Sequence, residues 1–104
     1  MRWPWLLVLT ACADELPCGP GPVTTWDNYG DAFMTGWCQG CHASTTPERY
    51  GAPQEVVFDT ESDVAFWRRE IAQRLTDGEM PPGGGVPEAD VQRVRNWLGC
   101  LDAP

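Results

Sequence analysis

Cys38-Gln39-Gly40-Cys41-His42 is the stretch on which the reading of this chain turns. Two thiols stand three positions apart, one helical turn, so both sulfurs face the same side. An imidazole follows at once. Three chemistries use part of this set. A thioredoxin-like redox pair takes the two cysteines, but it belongs at a helix start that follows a strand. A structural zinc ion takes four ligands, usually from two paired motifs. Cys18 and Cys100 are available as donors, yet neither has a paired neighbour. A disulfide between Cys38 and Cys41 closes a very small, strained loop. A fourth chemistry, covalent attachment of one haem c, uses Cys38, Cys41 and His42 together. One turn sets both sulfurs beside the two porphyrin vinyl groups, and the imidazole becomes the proximal iron ligand.

The flanking sequence is helical, with no convincing alternation of period two. Residues 26–37 carry Trp26, Tyr29, Phe33, Met34 and Trp37 at helical spacing, with Thr25 or Asp27 as the start cap. Gly30 inside this segment costs helix stability and points to close packing against another helix. Residues 62–76 place Val64, Trp67, Ile71 and Leu75 on one face, with Phe66 beside it. Thr60 with Asp63 resembles a capping box, and Gly78 is a stop. Residues 87–101 begin with Pro87, suited to a first helical turn. Val91, Val94, Trp97, Leu98 and Leu101 form its apolar face. The expected class is all-α: three main helices joined by long loops, 42–59 and 77–86. The second loop holds Met80-Pro81-Pro82-Gly83-Gly84-Gly85, which suits a loop shaped around a bound object.

With a helix before Cys38-Gln39-Gly40-Cys41-His42, Met80-Pro81-Pro82 downstream and an aromatic in the last helix, the chain resembles a bacterial monohaem class I cytochrome c. The resemblance runs over residues 26–101. It implies a haem buried among three or more helices, electron transfer as the activity, and a tight crossing of the first and last helices. Gly30, eight residues before Cys38, and Trp97 match the small and aromatic partners of that crossing. The loops are short for the family, so its contacts to the haem propionates are not carried over.

His42 is the only histidine, which excludes a second imidazole ligand from the same chain. The candidates for the sixth iron ligand are Met34 and Met80, and a five-coordinate iron is the alternative. Met34 lies in a helix, where a methionine more often packs in the core. Met80 stands 38 residues beyond His42 and precedes two prolines, which stiffen the backbone. Met80 is therefore the preferred ligand, and a thioether there raises the potential. Cys18 and Cys100 remain, either as a disulfide closing a long loop or as two free thiols.

Residues 1–12 place Arg2 ahead of an apolar run shorter than the roughly 20 residues that span a bilayer. This is the layout of an export signal. Its end, Leu9-Thr10-Ala11-Cys12, resembles a bacterial lipobox, which makes Cys12 the lipidated first residue of a membrane-anchored periplasmic protein. The alternative is an ordinary signal cut near Ala13. Residues 13–25 are rich in Pro and Gly and read as a tether, leaving 26–104 as the haem domain. The net charge is −8 and all seven basic residues are Arg, a balance that disfavours nucleic acid and suits redox-partner proteins with positive docking patches. The expected role is an electron carrier rather than an enzyme. The alternatives are a small-ligand sensor or peroxidase-like protein with a labile sixth ligand, or a subunit of a larger oxidoreductase complex. A peroxidase needs a distal acid or base, usually His, and this chain has none to spare.

Overall fold

Thr25 opens the first helical segment by a reciprocal cap. Its Oγ1 accepts from Asn28 N at 3.1 Å, and Asn28 Oδ1 accepts from Thr25 N at 2.8 Å. These are coordinates of a computed structural model, which describes residues 16–19 and 24–101. The signal at 1–12, Cys12, and the remainder of the 13–25 tether lie outside the described residues. So do 102–104.

Residues Trp26–Gly30 form a wide π turn, in which Gly30 N donates to Thr25 O at 3.0 Å. The turn runs straight into α1, Asp31–Trp37. Cys38 breaks the helix (φ −121°, ψ −39°), and the single turn α2, Gln39–His42, follows. The third and fourth elements are α3, Glu61–Phe66, and α4, Arg68–Asp77. The last is α5, Glu88–Cys100, with Pro87 one residue ahead of it as its cap. The described residues contain no strand, so they are all-α. None of their helices is long and apolar enough to cross a membrane.

The single helix expected over 62–76 is two. Trp67 (φ −100°, ψ 12°) divides it, and its N–H is shared between Asp63 O at 3.3 Å and Val64 O at 3.1 Å. The start is as the sequence reads: Thr60 Oγ1 accepts from Asp63 N, and Asp63 Oδ2 accepts from Thr60 N, both at 3.2 Å. Gly78 ends α4 in the left-handed region (φ 75°), where a side chain would be strained. Phe66 does not join the apolar face. It is 65% exposed and meets Trp67 edge-on.

The core is a cluster of Phe33, Met34, Val64, Ile71, Leu75, Val94, Trp97 and Leu98, with Phe58 from the first long loop. One of its close approaches is where the π turn crosses α5. A Cβ at Gly30 would fall inside the indole of Trp97, so only glycine permits this approach. Trp26 packs against the same indole, with ring centroids 6.2 Å apart. Tyr29 reaches α5 as well: its hydroxyl donates to Asp90 Oδ1 at 2.7 Å, and Arg93 lies over its ring at 4.0 Å. From the other side, Arg95 Nη1 of α5 donates to Thr76 Oγ1 of α4 at 2.5 Å.

Residues 16–19, within the segment read as a tether, lie against the domain. Leu16 packs against the core, Gly19 N donates to Asn96 Oδ1 at 2.6 Å, and a Cβ at Gly99 would strike the Pro17 carbonyl. Cys18 and Cys100 are joined by a disulfide with Cα atoms 4.5 Å apart. A tether composition therefore includes a short strip docked on α5. Pro and Gly there allow backbone to lie directly on backbone, where bulkier residues would hold it off.

Candidate functional site

The break at Cys38 and the turn α2 put the motif at the edge of the core. His42 N and Cys41 N both donate to Cys38 O, at 3.0 and 3.2 Å, which closes the turn. The chain then leaves on the 43–58 loop, and the loop is stitched back onto the motif. Phe58 N donates to His42 O at 2.7 Å, and Gln39 Nε2 donates to Phe58 O at 2.8 Å. Ser44 N donates to Asp59 Oδ1 at 3.0 Å, and the Ser44 hydroxyl also donates to that carboxylate. These bonds hold the Asp59 carboxyl below the ordinary carboxylate range.

His42 is held by its outer nitrogen. With the proton on Nδ1, the ring donates to Val56 O at 3.0 Å. That tautomer leaves the Nε2 lone pair free, as a metal-binding imidazole requires. The ring of Phe58 lies 4.8 Å from that of His42 and limits its rotation.

His42 faces a cavity of about 380 Å³. Trp37, Cys38 and Cys41 contribute to its wall beside His42, and Ala52, Pro53, Val56 and Phe58 come from the loop. Trp67, Ile71 and Leu75 close it from the second helical pair, and Met80, Pro81 and Pro82 from the last loop. Charge enters only through Arg49, Glu70 and Arg74. Met80 is placed by the end of α4: its N–H donates to Arg74 O at 3.3 Å, and Glu79 N donates to the same carbonyl at 3.0 Å. Its side chain is 38% exposed, whereas Met34 is fully buried in the core and takes no part in the cavity wall. All four residues singled out as haem contacts, Cys38, Cys41, His42 and Met80, thus line one space.

The donor set suits haem better than the other chemistries that the motif can serve. Cys38 and Cys41 are free thiols rather than a disulfide. Burial pushes the Cys38 thiol up to about 12, so it stays protonated at neutral pH. Cys18 and Cys100 are consumed by their own bridge. No three His, Cys, Asp or Glu side chains among the described residues converge as a small metal ion needs. A porphyrin would ask for something different: a broad apolar wall, two thiols along one edge, and side chains able to hold its iron. The cavity supplies the wall and the thiols, with His42 and Met80 on elements separated in sequence.

Arg49, Trp37 and Trp67 belong to this site and carried no separate signal in the sequence. An arginine in a loop reads as solvated, and tryptophans on helical stripes read as core. Comparison with protein-family models, curated proteins and solved structures finds no match to this chain.

Proposed function

We propose that this chain is an exported one-electron carrier with a cytochrome c-like fold and one covalently attached haem c. The observation that carries the reading is the convergence of Cys38, Cys41, His42 and Met80 on a single apolar cavity. The crossing of Gly30 under Trp97 supports the fold assignment, since it joins the first and last helices. When bound, haem supplies a ferric/ferrous couple. Cys38 and Cys41 would hold the porphyrin as thioethers, and His42 and Met80 would hold the iron.

The chain's own groups do the rest. Val56 O orients the His42 ring and keeps its proton on Nδ1. Trp37, Trp67, Ile71 and Leu75 give the cavity apolar walls, which would favour the less charged ferrous state. The Arg74 carbonyl fixes the backbone of Met80. Lipidation at Cys12, read from residues 9–12, would keep the domain at the periplasmic face of a membrane, where redox-partner proteins can meet it.

Protein made together with haem maturation machinery tests the reading. A pyridine haemochrome spectrum should give one haem c per chain, and none attached would sink it. Met80→Ala should change the spectrum of the reduced protein and lower its potential, while carbon monoxide should bind the variant far better than the parent. An unchanged spectrum and potential would remove Met80 as ligand. Ready carbon monoxide binding by the parent would favour the small-ligand sensor instead.

A further inference from the structure

The 43–58 loop holds the partner of His42 and has no regular secondary structure, so only some of its carbonyls find a donor in a backbone turn: Ala43 O accepts from Thr46 N and Pro53 O from Val56 N, both at 3.1 Å. Arg49, from the same loop, donates to these two and to two more. Its Nη1 donates to Ala43 O at 2.7 Å, next to His42 in sequence. Its Nη2 donates to Pro53 O at 2.7 Å and to Val56 O at 3.0 Å, and its Nε reaches Ala52 O at 3.4 Å. One planar fork therefore gathers four carbonyls, a geometry that a lysine ammonium cannot reproduce.

One of the four is the oxygen that accepts from His42 Nδ1, also at 3.0 Å. We propose that Arg49 is a positioning residue for the haem site, acting on His42 through this shared Val56 carbonyl and raising the reduction potential. The inference rests on the haem reading above and assigns a role to a residue that reading does not use. Two effects act in the same direction. A carbonyl that already accepts from a guanidinium pulls less on the Nδ1 proton, so His42 has less imidazolate character and donates less to ferric iron. A fixed positive charge on the far side of the shared carbonyl also disfavours the state with the extra charge on iron. A loop clamp with no such coupling would change stability and leave the potential alone.

The test compares full-length holoprotein with Arg49→Met and Arg49→Lys, counting haem by pyridine haemochrome before each titration. Arg49→Met should keep one haem per chain and shift the redox equilibrium about tenfold toward ferric iron, a fall of about 59 mV for one electron. The His42 Nδ1–H resonance of the ferrous protein should move downfield as its hydrogen bond strengthens. Arg49→Lys keeps the charge and should recover at least half of the shift. If Arg49→Met does not accumulate, Arg49→Gln takes its place, with an expected shift of about threefold. An unchanged potential in a fully loaded neutral variant overturns the proposal, as does a lysine variant no closer to the parent than methionine. Absence of haem from the parent itself overturns the haem reading instead, and the two failures are told apart by the haem count.

Discussion

The crossing of the π turn over α5 and the cavity beside α2 are built from similar residues and end differently. At the crossing, Trp97 is 1% exposed, Trp26 packs on it, and Gly30 lies directly against its ring. At the cavity, Trp37 is 38% exposed and, with Trp67 and Met80, faces open space. Aromatic surface is buried at the first site by the chain itself, and at the second it lines a cavity. The difference teaches that apolar patterning marks which residues leave water but not what covers them. The crossing accepts one cost: Trp97 Nε1 is buried with no hydrogen-bond partner among the described residues. Such a group costs about 1–3 kcal/mol, which close packing has to offset.

If the two regions are independent, changes at the crossing should alter stability and spare the spectrum of the haem proposed for the cavity. The largest effect is expected from Cys18→Ala with Cys100→Ala. The bridge spans 82 residues, and the chain-entropy relation gives about 4.5 kcal/mol for a loop of that size. Urea unfolding should show a loss of that order with an unchanged Soret band. A shifted band would mean that the bridge also shapes the cavity, and would break the comparison.

Glycine substitutions give a smaller and more pointed test. Gly30→Ala gains up to about 1 kcal/mol of helix propensity. It also forces a methyl into the Trp97 ring, and overpacking of that kind costs about 1–3 kcal/mol. The net change should be destabilising. Gly36→Ala in α1 meets nothing within 4 Å and should stabilise by about 0.5–1 kcal/mol. Thermal unfolding of the pair should therefore move in opposite directions. A stabilised Gly30→Ala would refute the close crossing.

The smallest effect belongs to the cavity side. Asp59 has its carboxyl pKa lowered in the folded chain, so the unfolded chain binds its proton more readily. Its contribution is complete above the ordinary carboxyl range, near about pH 4, and is lost as pH falls through the lowered value. Asp59→Asn should flatten the acid limb of a stability–pH profile below about pH 4. The group lies at the surface, so the change should be slight, and an identical acid limb would show that Ser44 does not depend on the charge.

Much of the local architecture was legible. Thr25 and Thr60 are caps because a hydroxyl before a helix can satisfy a backbone N–H three residues on. Gly78 is a stop because it accepts a left-handed backbone. The break at Trp67 was not legible, since Val64, Trp67, Ile71 and Leu75 make one uninterrupted stripe on a straight helix. The docking of residues 16–19 was hidden by a composition that also describes a free linker.

The sequence by itself determined the chemistry on offer: two thiols and an imidazole in five residues, one histidine, and methionines at 34 and 80 as candidates for a further soft ligand. It also determined an all-α frame, because helical periodicity and caps are local properties of the chain. Only the tertiary structure decided which methionine shares a cavity with His42, and that Cys18 is bridged to Cys100. It alone showed that Val56 O accepts from both His42 and Arg49. These are encounters between residues far apart in sequence, or between a side chain and a backbone carbonyl that has no residue-specific signature. Spacing along a chain cannot express them, because they depend on how loops return to the core.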